Sequence, residues 1–237
     1  DVSLQVFPGE TLGLVGESGC GKTTLGRSIL RLIEPDSGTI FFNENNILAL
    51  NSTGMKAERK NLNIVFQDPY SSLNPHINIG NAIKEPMAVH RLFKNNTERK
   101  QKVYELLEKV GLKPEHYDRY PHEFSGGQRQ RIVIARALAV EPRFIICDEA
   151  VSALDVSVQA RILNLLNDLK KEFGFTYIFI SHDLSVVRFM SDRILVMKNG
   201  QIIEAGDADE VYENPQNQYT RQLIDSIPRP ELSKKIV

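Results

Sequence analysis

Short apolar runs bounded by turn-forming residues punctuate the chain at 11–15, 62–66, 144–147, 176–180 and 194–197. Continuous apolar runs of this length mark strands buried on both faces. Between and after them lie stretches whose apolar positions recur every three or four residues, at 23–33, 128–140, 156–173 and 185–190. That spacing gives each stretch one apolar stripe along a helix. Strands alternating with helices predict an α/β fold, a mostly parallel sheet with helices on both faces. From about Ile79 to Arg131 the rhythm changes. Helical patterning runs over 79–90 and 97–110 with no strand between, which predicts an inserted helical lobe. The expected division is a core of residues 1–78 and 132–237 and a lobe of residues 79–131. After Asn214 one or two short helices are expected, then a Pro-rich, charged end.

Composition alters this picture only at its edges. The 29 basic and 30 acidic side chains leave a net charge of −1, so no global positive field invites nucleic acid or anionic lipid. No uncharged stretch approaches the roughly 18 apolar residues of a membrane helix, and no basic leader with an apolar run opens the chain. Two cysteines, Cys20 and Cys147, make no disulfide framework. The expectation is a soluble protein of a reducing cytoplasm. Both cysteines read as small apolar fillers, and His76, His90, His116 and His122 as structural or exposed.

The chemistry is concentrated where the apolar runs end, the edge at which open parallel sheets bind ligands. The first run is followed by GESGCGKT, Gly16–Thr23, which fits G-x-x-x-x-G-K-[ST] between a strand and a helix. Gly16, Gly19 and Gly21 permit a tight loop whose backbone N–H groups curl around phosphate, and the next helix aims its positive end at the same point. Lys22 is placed to neutralise β and γ phosphates, and the Thr23 hydroxyl to ligate Mg²⁺. The second run ends in Gln67, which can touch the metal or a water. The third ends in Asp148 and Glu149, adjacent carboxylates pointing different ways. Asp148 suits the metal shell, and Glu149 suits polarising an attacking water. The fourth ends in Ser181, His182 and Asp183, where His182 can reach a γ-phosphate. A further piece, Glu123–Arg131, opens a helix in the lobe. Ser125 can cap it, and Gly126 and Gly127 expose more N–H groups, making a second anion site. Two anion sites in one nucleotide-binding chain make sense if ATP lies between two subunits.

Taken together, these motifs resemble those of ATP-binding subunits of ABC transporters, over 1–230 or so. GESGCGKT is similar to the family's Walker A motif, Gln67 to its Q-loop, FSGGQ to its signature, and FIICDE to its Walker B. SALD at 152–155 is similar to the D-loop and His182 to the switch histidine. The resemblance implies a P-loop NTPase (RecA-like) core with an N-terminal antiparallel β portion and an inserted α-helical subdomain. It implies ATP and Mg²⁺ as cofactors, with Thr23, Gln67 and Asp148 at the metal and Glu149, His182 and Gln67 catalytic. Nucleotide contacts are implied for Gly16, Glu17, Ser18, Gly19, Cys20, Gly21, Lys22, Thr23 and Thr24. Ser125, Gly126, Gly127, Gln128 and Asp155 are implied to serve the nucleotide across a dimer interface. QDPYSSLNP, RYPHEFSGGQRQR, ALDVSVQARIL and NPQNQYTRQL resemble the oligopeptide, dipeptide and nickel importer branch. The implied partners are membrane permeases, a second ATPase subunit joined head to tail, and indirectly an extracellular binding protein. The implied place is the cytoplasmic face of the membrane. The family's adenine-stacking aromatic is expected further upstream than the fifteen residues before Gly16, as if the chain were a piece of a longer protein. The alternatives are a permease-free ATPase that remodels nucleic acid or another complex, a P-loop kinase, and an importer of nickel or oligosaccharide.

Overall fold

A computed structural model describes residues 1–227. Its main sheet has six strands: β1 (Thr11–Val15), β4 (Leu62–Val65), β5 (Phe144–Asp148), β6 (Thr176–Ser181), β7 (Arg193–Lys198) and β8 (Gln201–Asp207). Their spatial order is β4-β5-β6-β1-β7-β8. Every neighbouring pair is parallel except β7–β8, an antiparallel hairpin at one edge. Each apolar run of the sequence became a strand of this sheet. β1 and β5 are buried at every position, as strands covered on both faces must be. The edge strand β8 was not foreseen. Its alternation is broken by Glu204, and it lies half exposed along its length.

The antiparallel part near the N-terminus is small among the described residues: β2 (Phe41–Phe42) and β3 (Asn45–Asn46). Before β1, Val2, Leu4 and Val6 are partly buried against the apolar cluster that contains Leu12, Leu14 and Ile178. Their alternation is strand-like, yet no ladder joins them to another strand among the described residues.

The helices are α1 (Lys22–Ile29), α2 (Ser52–Glu58), α3 (Ile79–Val89), α4 (Asn96–Lys109), α5 (Gly126–Leu138), α6 (Val156–Phe173), α7 (Leu184–Met190), α8 (Ala208–Glu213) and α9 (Gln218–Asp225). α1 stops four residues short of the periodic stretch that predicted it. Arg31 turns into the left-handed region at φ 52°, where its guanidinium donates to the carbonyls of Ile47 and Leu50 at 3.0 and 2.7 Å. α2 and α8 were not anticipated. α9 is the helix expected after Asn214, while the Pro-rich, charged end lies outside the described residues. Between residues 79 and 131 no strand forms, and α3, α4 and the start of α5 pack together. α5 then continues out of that group and reaches β4 and α6. Ile83, Leu106 and Leu107 share one continuous apolar cluster with Ile134, Leu166 and Phe179. No helix among the described residues is long and apolar enough to cross a membrane.

Candidate functional site

All four polar clusters lie at the carboxyl ends of parallel strands, and the strand order places β1 beside β6, and β6 beside β5. The sheet therefore brings together residues separated by more than a hundred positions. Gly16–Gly21 forms the loop between β1 and α1. A side chain at Gly16 would put its Cβ 2.2 Å from the Met197 carbonyl oxygen, so only glycine fits there. Gly21 precedes the helix at φ 108°, and no side chain caps the first N–H groups of α1. Those donors, together with the positive end of the helix, are free for an anion.

Lys22 is only 4% exposed, and among the described residues no carboxylate forms an ion pair with it. Its Nζ donates to the carbonyl oxygens of Gly16 and Glu17 at 2.7 and 2.8 Å and faces Cys20 Sγ at 3.8 Å. A buried ammonium held by the loop it serves, with no anionic partner, fits a phosphate group. Thr23 Oγ1 donates to Asp148 Oδ1 at 2.9 Å, bringing together two hard oxygen donors of the kind Mg²⁺ prefers. Burial raises the pKa of Asp148, and the neighbouring Glu149 charge adds to that. Thr23, Arg27 and Lys22 pull it down. Among the described residues no group of three His, Cys, Asp or Glu side chains is assembled.

The direction of the Asp148 shift carries a stability prediction. A carboxyl whose folded pKa lies above its unfolded value stabilises the fold below the unfolded pKa, and that contribution is lost as pH rises through the folded pKa. At neutral pH the buried carboxylate therefore weakens the nucleotide-free protein. Asp148→Asn is expected to raise the melting temperature measured without nucleotide at pH 7.5. The scale is about 2–4 °C per kcal/mol relieved. The gain should close as pH falls below about 4. A lower melting temperature for the variant at pH 7.5 would refute this account.

Glu149 follows at φ 49°, an uncommon conformation for a residue with a side chain, and its N–H donates to the Ile180 carbonyl at 3.0 Å. This bond locks the ends of β5 and β6 together. The Glu149 carboxylate faces His182, whose Nδ1 lies 3.4 Å from Glu149 Oε2. The glutamate side chain is 16% exposed and the imidazole 55%. Asp183 is committed to capping α7, accepting from Ser185 N and Val186 N at 2.9 and 3.3 Å. Gln67 is exposed, and its Nε2 donates to Ser152 Oγ at 3.1 Å. Ser152 Oγ in turn donates to the Glu149 carbonyl at 3.0 Å. Sequence reasoning did not single out this serine link, because Gln67 lies 85 residues from Ser152 and meets it only once β4 and β5 are paired.

The signature segment opens α5. Ser125 Oγ accepts from Gln128 N at 3.4 Å and Gln128 Oε1 accepts from Ser125 N at 3.0 Å, a reciprocal cap on α5. A Cβ on Gly127 would come 2.4 Å from Val158 Cγ1, so the start of α5 sits close against the start of α6. Asp155 caps α6, accepting from Val158 N at 3.0 Å and Ser157 Oγ at 2.8 Å. These bonds lower its pKa. Glu17, Ser18 and Gly19 are exposed at the tip of the phosphate loop, and Thr24 is exposed on α1. Cys147 is fully buried beside the site, where burial pushes its thiol far above the range in which a thiolate forms. That agrees with a filler rather than a reactive sulfur. Burial likewise lowers the pKa of His90 and His116, neither of them at the strand ends.

A phosphate-binding loop at β1, carboxylates at β5 and a histidine at β6, on a mostly parallel sheet, define a P-loop NTPase. The profile of the family described as ABC transporter matches residues 1–152. The chain belongs to that family, and is one of its ATPases. It is 55% identical over 232 residues to the oligopeptide transport ATP-binding protein OppF of Bacillus subtilis, covering 98% of this chain and 76% of that one. It is 54% identical over 234 residues to the glutathione import ATP-binding protein GsiA of Escherichia coli K12. That match covers 99% of this chain but only 37% of the other, so the chain spans little more than a third of the glutathione importer's subunit. Among solved structures, it is similar to a dimeric ATP-binding cassette in a post-hydrolysis state bound to ADP and Pi. The identity is 30% and the TM-score 0.78, covering 88% of this chain and 89% of that one. It is also similar to cbiO1 of Clostridium perfringens, part of an ABC transporter complex. There the identity is 30% and the TM-score 0.80, covering 89% and 82%.

Proposed function

We propose that this chain powers the import of peptides through partner permeases, and that two such ATPase subunits close head to tail on two ATP. The observation that carries the reading is that the two glycine-rich segments sit on different elements of one chain. Gly16–Gly21 lies at the end of β1, while Gly127, in the first turn of α5, packs on α6. Gly126 and Gly127 stand in the first turn of α5, where N–H groups have no intrahelical acceptor, ready for a phosphate held by a partner. Relatives named for oligopeptide transport and glutathione import support a peptide cargo.

In this reading Gly16–Thr24 wraps the phosphates and Lys22 neutralises them. The Thr23 hydroxyl, the Asp148 carboxylate and Gln67 would hold Mg²⁺, which when bound offsets charge on the phosphate oxygens. Glu149 orients a water for attack on the γ-phosphorus and accepts its proton as the bond to the ADP oxygen breaks. His182, beside Glu149, steadies the γ-phosphate and that water. Ser125, Gly126, Gly127, Gln128 and Asp155 serve the nucleotide bound by the partner subunit. Residues 79–131 form the lobe that receives the permeases at the cytoplasmic face of the membrane, and Gln67 couples it to the phosphates. An extracellular binding protein delivers the cargo, and no nucleic acid is involved.

The test is uptake by the complete transporter reconstituted in vesicles, with labelled peptide competing against unlabelled peptide, nickel or oligosaccharide. Peptide is expected to compete and the others not. Competition by nickel or oligosaccharide alone would move the cargo assignment. Failure of the ATPase to copurify with permeases would remove the importer reading.

A further inference from the structure

One contact reaches the phosphate loop from the far end of the described chain. Tyr219, on α9, is 5% exposed, and its hydroxyl oxygen accepts a hydrogen bond from Glu17 N at 3.0 Å, across 202 residues. Its ring lies under Lys198 Nζ at 4.4 Å. The start of α9 is tied to β8 through Glu204. That carboxylate accepts from Gln216 N at 2.6 Å, from Asn217 N at 3.1 Å and from the Thr220 hydroxyl. Asn217 Oδ1 caps the helix by accepting from Tyr219 N at 2.9 Å. The turn between β7 and β8 also touches the loop, with Gly200 N donating to the Cys20 carbonyl at 2.9 Å.

We infer that Tyr219 is a positioning residue for nucleotide binding, fixing through its hydroxyl the peptide that holds Lys22. The inference rests on the reading of Gly16–Thr23 as the phosphate loop. The geometry behind it concerns a single peptide group. The Gly16 carbonyl and the Glu17 N–H belong to the same planar unit, and in a trans peptide they point in opposite directions. The carbonyl accepts from Lys22 Nζ at 2.7 Å, and the N–H donates to Tyr219. Lysine and tyrosine thus hold one peptide from opposite sides. With the hydroxyl in place the peptide cannot rotate, its carbonyl stays on the lysine side, and the ammonium stays where a phosphate meets it. Without the hydroxyl, the Glu17 N–H loses its partner and the peptide gains freedom at the mouth of the loop. A rigid aromatic suits this task, because burial fixes its ring and with it the place of the hydroxyl that meets the Glu17 N–H.

Tyr219→Phe keeps the ring and removes only the hydroxyl. Titration calorimetry of MgADP against the full-length protein at 25 °C reads the effect without hydrolysis or permeases. The dissociation constant is expected to rise about three- to tenfold, the worth of one ordinary hydrogen bond. In steady-state assays KM for ATP should rise by a similar factor, with kcat within twofold. A purely structural role would lower the melting temperature but leave the MgADP constant within twofold, and that result overturns the inference. Lys22→Ala is the control for the reading beneath it. Weakened binding there with none in Tyr219→Phe overturns the tyrosine assignment alone. Unchanged binding in both overturns the phosphate-loop assignment as well.

Discussion

Glu149→Gln is expected to lower kcat by about 10²- to 10⁴-fold, the usual contribution of a positioned general base, while leaving MgATP affinity within a few-fold. An amide matches the carboxylate in size and keeps a hydrogen-bonding oxygen, but it cannot take a proton at neutral pH. The backbone at 149 already sits at φ 49° and is held by its bond to Ile180, so the substitution disturbs neither β5 nor β6. In the proposed head-to-tail pair hydrolysis reopens the two subunits, so the variant should also accumulate as an ATP-bound dimer, visible by light scattering. Turnover within threefold of the parent protein would remove Glu149 from the reaction and leave His182, 3.4 Å away, as the group to examine.

Lys22→Ala should act earlier, on binding itself. The ammonium is buried, and its hydrogen bonds run to loop carbonyls rather than to a carboxylate, which leaves it able to meet a phosphate. Removing one partner of a desolvated charge pair typically weakens binding by about two to three orders of magnitude. The expected result is loss of MgATP binding by calorimetry and of hydrolysis together, with the fold intact by circular dichroism. Parent-like affinity in the variant would contradict the loop's assignment.

Local patterns carried most of the site. GESGCGKT, FSGGQ and FIICDE are each contiguous, so their placement at a loop, a helix start and a strand end follows from neighbours in the chain. The cap by Ser125 at the start of α5 was readable for the same reason, while the return bond from Gln128 came with the structure. Contacts made by distant segments were not readable. The serine bridge from Gln67 to Glu149 needs β4 and β5 side by side, and the bond from Glu17 to Tyr219 needs the β7–β8 hairpin and α9 folded back over the loop. β8 escaped notice because an edge strand carries polar side chains along one side, which blurs the apolar run that reveals a central strand. The early end of α1 turned on one residue, Arg31. Its side chain gains two carbonyl acceptors only if the helix stops.

α5 has a mechanical consequence. Its later residues, among them Ile132, Val133, Ile134, Ala135 and Leu138, are gripped in the apolar interior, whereas its first turn carries the signature glycines half-buried against the start of α6. Thirteen residues of helix make a stiff rod about 20 Å long. The part of the helix from Ile132 back to Gly126 reaches about 9 Å beyond the gripped residues, so a tilt of about 10° moves that end by roughly 1.6 Å. In the proposed head-to-tail pair, where those glycines face a partner's phosphate, a rotation of residues 79–131 would act on that contact through a short, stiff arm.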